Sequence, residues 1–208
     1  MKNREERFVR TLPEGYVLAY HLNAKDKKIG IILNLVALGV LAAFVALGAV
    51  ALCFGGGQMI ETTPVLKIAS LSAFVVSIVV YIVLHELVHG IAYKSQTGEK
   101  LTFGMSWSCA FCGVPNIFVK RRTAIIALVS PLIVFTLVFG ALCVVTYFVH
   151  PSLYILSLFL LGYHLGGCSG DIYVTFLFAT RFKSPSVLMR DTGPEQYFYV
   201  KSEDAAKQ

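Results

Sequence analysis

Two long stretches without a charged side chain constrain this chain more than any other feature of its sequence. No Asp, Glu, Lys or Arg occurs in residues 29–60 or 123–170. Charged residues make up 14% of the chain, whereas about a quarter of the residues in a soluble domain are charged. Because an uncharged apolar run of about 18 or more residues is typical of a membrane-spanning segment, the sequence predicts an integral membrane protein.

Four apolar segments are long enough to cross the roughly 30 Å of bilayer hydrocarbon as helices. The third and fourth segments separate at His150-Pro151, because proline has no backbone N–H to donate. We therefore expect a single membrane-embedded domain over residues 1–208, of the membrane all-α class. Its four transmembrane helices are predicted at about 29–54, 65–93, 123–147 and 152–180.

The basic residues predict the orientation of these helices. Of the 18 Lys and Arg residues, all except Lys67 precede the first helix, lie between the second and third, or follow the fourth. By the positive-inside rule, both termini and the middle loop face the cytoplasm. The basic residues flank apolar segments and form no aromatic-interleaved patch, so we expect the net charge of +6 to reflect topology and not a nucleic-acid partner.

Short segments rich in aromatic and β-branched residues lie outside the predicted helices. They cover residues 16–22, 101–107, 115–120 and 196–200, and Gly, Pro or Asn bounds them. Such segments are typical of strands. We expect a small cytoplasmic sheet in which the two middle segments pair as a β-hairpin.

The second predicted helix ends with His85-Glu86-Leu87-Val88-His89. Residues four apart lie on one face of a helix, so both imidazoles can reach one metal ion, and neutral imidazole suits Zn²⁺. Glu86 beside them can take a proton from metal-activated water and pass it to the leaving amine. This is the H-E-x-x-H arrangement of metalloproteases.

The structural alternative for these residues is a pair of core histidines beside a glutamate that extends towards the interface. An ionisable side chain within a membrane helix costs roughly 2.5–3.5 kcal/mol on the insertion scale. Three polar side chains within one and a half turns therefore favour a metal-binding and catalytic role over a purely structural one.

Asp171 is the candidate for a third metal ligand, since a catalytic zinc site usually has three protein ligands and a water. It is the only acid in the fourth predicted helix. Asp171 precedes Arg181 by about 15 Å of helix, which is close to the depth of His85 before Lys94. The structural alternative is an ion pair with a basic residue, but no such residue is predicted at this depth.

Other polar residues are weaker candidates. His164 lies two turns before Asp171 on nearly the same face, and we expect it to make structural hydrogen bonds instead of binding the metal. Cys109 and Cys112 form a lone C-x-x-C, which in a reducing cytoplasm is more typical of buried thiols than of a metal site. Ser130-Pro131 predicts a helix kink and not a nucleophile.

With these residues in view, the chain resembles the putative zincin peptidases, a family of small bacterial membrane proteins. The likeness covers most of the chain and extends through the aromatic-rich loop after the second helix. It rests on the motif from His85 to Gly90, on Ser130-Pro131, on Gly167-Cys-Ser-Gly-Asp171 and on the tail around Asp191-Thr-Gly-Pro194. This resemblance implies a zinc peptidase in the bacterial cell membrane.

More distantly, the chain is similar to the intramembrane metalloproteases of the site-two class. That similarity implies zinc ligands at His85, His89 and Asp171, with Glu86 as the general base. The second motif of that class usually reads Asp-Gly after an upstream Asn and Pro. Here Gly170 precedes Asp171 and Ile172 follows it.

The sequence therefore predicts a zinc-dependent metalloendopeptidase that hydrolyses a peptide or membrane-protein substrate. Such a substrate is expected to add as an extended strand to the predicted hairpin. Two alternatives belong to other functional classes. One is a membrane protein that binds zinc without catalysis, and the other is a small transporter in which the same side chains relay protons or metal ions.

Overall fold

The computed structural model describes residues 7–23, 26–55, 64–105 and 110–205. Within these residues the helices are α1 (Lys27–Gly55), α2 (Pro64–Thr97), α3 (Arg121–Val149), α4 (Pro151–Gly167), α5 (Ser169–Thr180) and α6 (Ser202–Ala205). The strands are β1 (Phe8–Val9), β2 (Tyr16–Asn23), β3 (Thr102–Met105), β4 (Ala110–Gly113), β5 (Phe118–Lys120), β6 (Leu188–Asp191) and β7 (Glu195–Lys201). The fold is mostly helical with a small antiparallel sheet, as predicted.

Several of the described helices are long and apolar enough to cross a membrane. Three qualify alone, over Lys27–Ala51, Phe74–Thr97 and Arg121–Val149. The pair α4 and α5 qualifies together, with a bend of 45° between the two helices, as either a broken span or a re-entrant loop. The helix predicted over 152–180 is thus wrong in one respect, because Cys168 separates it into two helices. Glycines 166, 167 and 170 surround that break, and glycine has a low propensity for helix interiors.

Two polar side chains determine where apolar helices begin. Asp26 Oδ1 accepts hydrogen bonds from the backbone N–H groups of Lys28 and Ile29, at 2.9 and 3.2 Å. His150 accepts one from Ser152 N through its side chain, with proline in the first turn of α4. These contacts satisfy N–H groups that have no partner within the helix.

The chain forms two compact units, and the prediction of a single domain stays a prediction. The first unit is built from Met1–Ile32, Glu86–Pro131 and Gly170–Gln208. Its described strands form a five-stranded sheet in the order β1-β5-β6-β7-β2, beside a separate pair of β3 and β4. All of these pairings are antiparallel.

The strands predicted at 16–22 and 196–200 are confirmed as β2 and β7. The predicted hairpin between 101–107 and 115–120 is wrong, because β3 pairs with β4 and β5 pairs with β1 and β6. The physical reason is burial, since the side chain of Val119 in β5 is fully buried among residues of the larger sheet. Residues 106–109, which include Trp107, lie outside the described residues.

The core of the first unit joins the five-stranded sheet to α5. Phe178 of α5 and Phe198 of β7 are fully buried, and the ring of Phe182 stacks on Phe198 with centroids 4.6 Å apart. Arg121 at the start of α3 donates to the carbonyls of Phe178 and Phe182. It satisfies carbonyls that have no intrahelical partner at the end of α5. The sheet and α3 therefore hold α5, and Asp171 with it, in place.

The second unit is built from Leu33–His85 and Leu132–Ser169. The backbones of α1 and α4 approach closely at Gly166, where an added Cβ would lie 2.7 Å from the carbonyl oxygen of Ala37. Thr146 of α3 donates to Ser157 of α4 at 3.0 Å. Close approach at small residues and side-chain hydrogen bonds are typical of helix packing in membranes.

Gly113→Ala is expected to destabilise the first unit by about 1–3 kcal/mol, the usual range for overpacking. A Cβ at Gly113 would lie 2.5 Å from the backbone nitrogen of Gly193. That backbone cannot yield easily, because Val114 N donates to Asp191 O at 2.9 Å in the same turn.

The measurement is the thermal unfolding midpoint of the purified protein in detergent. Gly140→Ala is the matched control, because nothing described lies within 4 Å of a Cβ at Gly140 and alanine favours a helix interior. Equal midpoints for the two variants would contradict the close backbone contact at Gly113.

Candidate metal centre

The predicted motif lies within a continuous helix. α2 runs through His85, Glu86 and His89 to Thr97, so the two imidazoles are one helical turn apart on one face. Both histidine side chains are buried, and Glu86 is half-buried. The local geometry that the spacing predicts is therefore present in α2.

In the first unit, His89 and Asp171 are brought together from different helices. His89 Nε2 lies 3.3 Å from Asp171 Oδ2. The other ring nitrogen, His89 Nδ1, lies 2.8 Å from the carbonyl oxygen of Ala127 in α3. A carbonyl can only accept, so Nδ1 carries the hydrogen and donates it. Nε2 faces the Asp171 carboxylate, which likewise accepts, so Nε2 is the nitrogen at which a proton or a metal ion would lie between the two groups.

A proline explains why the Ala127 carbonyl is suited to this role. In an α-helix the carbonyl of Ala127 would accept from the backbone N–H of residue 131. Residue 131 is a proline inside α3, and proline has no N–H. The carbonyl thus has no donor at that position of the helix, and His89 supplies one. The kink predicted at Ser130-Pro131 stays a prediction.

The atoms of His89 and Asp171 suit a zinc ion. Zn²⁺ binds imidazole nitrogen and carboxylate oxygen at about 2.0–2.2 Å in tetrahedral geometry, which puts two ligand atoms about 3.3–3.6 Å apart. His89 Nε2 and Asp171 Oδ2 have that separation. A ligating histidine usually donates its other ring N–H to a carbonyl or carboxylate, as His89 does to Ala127.

In the second unit, His85 belongs to a hydrogen-bonded cluster that includes His164. The hydroxyl of Tyr81 lies 3.0 Å from His85 Nδ1 and 2.8 Å from His164 Nδ1. His164 is fully buried, and its Nε2 lies 3.1 Å from Thr136 Oγ1 and 3.3 Å from the Leu132 carbonyl. His164 therefore makes hydrogen bonds through both ring nitrogens.

Cysteines near these residues offer a second, weaker ligand set. His85, His164 and Cys168 could hold a metal ion, since one ligand atom from each lies within 4.8 Å of the others. Both nitrogens of His164 already make hydrogen bonds, which weakens this set. Cys112 is buried, and burial, followed by the nearby carboxylates of Asp191 and Glu86, raises its pKa to about 12. Cys109 lies outside the described residues.

Sequence reasoning missed a pair that anchors the end of the motif helix. The hydroxyl of Tyr93 donates to Asp191 Oδ2 at 2.6 Å, and Gly193 N donates to Asp191 Oδ1 at 2.9 Å. Burial raises the pKa of Asp191 to about 6. This pair ties α2 to the turn between β6 and β7 within the first unit.

The spacing of two tyrosines indicates that they share the helical face of the motif, although it does not identify their partners. Tyr81, His85, His89 and Tyr93 follow one another at intervals of four residues. Residues at such intervals lie on one helical face. One turn before the motif Tyr81 contacts His85, and one turn after it Tyr93 contacts Asp191.

Comparison with known proteins identifies a family. A family model described as "Putative zincin peptidase" matches residues 78–185, which contain the α2 motif, α3, α4 and Asp171. No curated protein and no solved structure matches the chain. The matched segment is more than half of the 208 residues, and the chain therefore belongs to the putative zincin peptidase family.

Proposed function

We propose that this protein is a membrane-embedded zinc metalloendopeptidase. Membership of the family and the His-Glu-x-x-His segment within a buried helical face support a peptidase. The observation that carries the proposal is the 3.3 Å approach of Asp171 Oδ2 to His89 Nε2. It joins the motif to an acid from another helix, which is the kind of contact that a third zinc ligand requires.

The proposed zinc ligands are His85, His89 and Asp171. Two imidazoles and one carboxylate form the three-ligand set that is usual in catalytic sites. His85 is assigned by its position one turn before His89 on α2. Zinc bound to these residues would supply Lewis acidity, lowering the pKa of a water to about 7 and polarising the scissile carbonyl.

Glu86 is the proposed general base. It follows His85 directly in α2 and is half-buried, which places it one residue from the proposed ligand set. Glu86 takes a proton from the attacking water and delivers it to the nitrogen of the leaving amine. General acid–base catalysis of this kind contributes about 10²–10⁴-fold to the rate.

The proposed substrate is an extended peptide or membrane-protein segment that pairs with β3. An added Cβ at Gly90 would lie 2.7 Å from Phe103 Cζ, so the Phe103 ring packs on α2 one residue after His89. β3 therefore lies beside the catalytic segment within the first unit. Strand addition positions a peptide backbone through main-chain hydrogen bonds, and an extended backbone is what a protease must have in its site.

The proposed enzyme lies in the bacterial cell membrane with four spans, α4 and α5 together forming the fourth. Both termini and the residues between α2 and α3 face the cytoplasm. Support comes from the charge distribution, since only Lys67 of the 18 Lys and Arg residues lies on the opposite side.

Cysteine labelling tests this topology in a variant whose native cysteines are replaced. We expect Gln58→Cys to react with an impermeant thiol reagent in intact cells, because it lies between the first two spans. The control Ser202→Cys should react only after the membrane is permeabilised. The reverse pattern at the two positions would show that the orientation is inverted.

Glu86→Gln is expected to retain zinc and to lose at least about a hundredfold in turnover, because the amide cannot accept a proton. Cleavage of a membrane-peptide library and metal content per chain are measured on the same preparation. Glu203→Gln is the matched control, since its carboxylate is exposed and far along the chain from the motif. Unchanged cleavage by Glu86→Gln would disprove the protease mechanism, and loss of zinc would make Glu86 a ligand.

Asp171→Ala is expected to weaken zinc binding by more than about a hundredfold. The loss of a residue that only orients a zinc ligand already weakens binding by about 10–100-fold. Affinity is measured by competition with a chelator, and Asp204→Ala serves as the control from the C-terminal helix. If Asp171→Ala bound zinc as wild type does while Cys168→Ser lost it, the metal would belong to the set of His85, His164 and Cys168.

A further inference from the structure

We propose that Tyr81 and His164 form a hydrogen-bond relay that fixes the tautomer of His85. The relay runs from the Leu132 carbonyl through His164 and Tyr81 to His85 Nδ1, entirely within the second unit. Its purpose rests on the proposed function, because it prepares His85 Nε2 to bind zinc. Tyr81 and His164 are thus positioning residues and not ligands.

The relay begins at the Leu132 carbonyl, which can accept a hydrogen bond but cannot donate one. His164 Nε2 lies 3.3 Å from the carbonyl oxygen of Leu132 and 3.1 Å from the Thr136 hydroxyl. The carbonyl can only accept and the hydroxyl can accept as well, so a hydrogen on Nε2 suits both contacts. His164 is fully buried, and the rings of Phe135 and Phe139 each lie with centroids 5.8 Å from its own. A neutral imidazole suits these apolar surroundings. With its hydrogen on Nε2, neutral His164 has an acceptor at Nδ1.

The hydroxyl of Tyr81 has a single hydrogen, so it can donate to only one of the two imidazoles that it contacts. It donates that hydrogen to His164 Nδ1 at 2.8 Å. Its oxygen then accepts from the other imidazole in contact, His85 Nδ1, at 3.0 Å. Edge-on contacts with the rings of Phe135 and Tyr163, at centroid distances of 5.2 and 5.8 Å, hold the phenol in this orientation.

The result is a hydrogen on His85 Nδ1 and a lone pair on His85 Nε2. A zinc-binding imidazole requires this state, because the ligating nitrogen must be deprotonated. His89 also carries a hydrogen on Nδ1, which it donates directly to the Ala127 carbonyl. The two histidines of the motif therefore present the same nitrogen while using different acceptors.

The tautomers can be read directly by ¹⁵N NMR of the metal-free full-length protein in micelles, with labelled histidine. The chemical shift of each ring nitrogen distinguishes N–H from a lone pair, and single His substitutions assign the signals. We expect a hydrogen on Nδ1 of His85 and on Nε2 of His164. A hydrogen on Nε2 of His85 would overturn the relay.

Substitutions then separate the relay from simple packing. Tyr81→Phe keeps the ring and should abolish the preference of His85 for Nδ1–H. His164→Leu should do the same, whereas His164→Asn should retain the preference, because its amide oxygen replaces Nδ1 as the acceptor for Tyr81. Tyr163→Phe, which removes a hydroxyl from the same aromatic cluster, is the matched control and should change nothing. An unaltered His85 tautomer in Tyr81→Phe would overturn the relay.

Zinc affinity provides the second measurement. We expect Tyr81→Phe and His164→Leu to weaken zinc binding by about 10–100-fold, as for other residues that orient a ligand, with His164→Asn and Tyr163→Phe close to wild type. Affinities that do not follow the tautomer of His85 would overturn the relay. If the tautomers are as expected but the wild type binds no zinc, the relay is supported and the proposed peptidase function fails.

Discussion

The buried histidines must each have a hydrogen-bonding partner, because a buried polar group without one costs free energy. His89 meets this requirement with the Ala127 carbonyl, and His85 meets it with the Tyr81 hydroxyl. His164 uses the Leu132 carbonyl and the same tyrosine. The hydrogen bonds that satisfy the ring nitrogens also fix the orientation of the rings. The contacts that offset the cost of burying these imidazoles therefore position them in the proposed site.

The apolar segments and the metal motif could be predicted because their signals are local. Charge-free runs identify α1, α3 and α4, and the four-residue spacing places His85 and His89 on one face. Counting depth along the helix predicts that Asp171 lies at the level of the motif, and the break at Cys168 does not affect that count. These inferences need only helix geometry and the low polarity of lipid.

The partners that come from distant parts of the chain could not be predicted in this way. The donor for Asp191 is Tyr93, a residue of another element, and no local pattern pairs them. The sequence predicts a strand at β5 but not the strands that pair with it, because a three-residue strand acquires its register from the sheet around it. The Tyr81 hydroxyl acquires its role only where α2 and α4 bring two imidazoles to it.

The sheet supports the site from outside the apolar helices. α5 is short and carries Asp171 in its first turn, so its position depends on how its far end is held. Phe178 and Phe182 are buried with the strands, and Arg121 binds the carbonyls of both. The carboxylate next to His89 is therefore located by side chains more than a turn away from it.

The hydrogen bond between His89 and the Ala127 carbonyl restricts which amino acids can replace Pro131. Any of the other nineteen would bring a backbone N–H directed at the Ala127 carbonyl, in competition with the imidazole of His89. The requirement at position 131 is the lack of a backbone N–H, and it does not depend on the size or polarity of the side chain. A proline in the middle of a helix costs local stability, but here it leaves the Ala127 carbonyl without a backbone donor. The absence of one donor hydrogen reserves an acceptor for a histidine on a neighbouring helix.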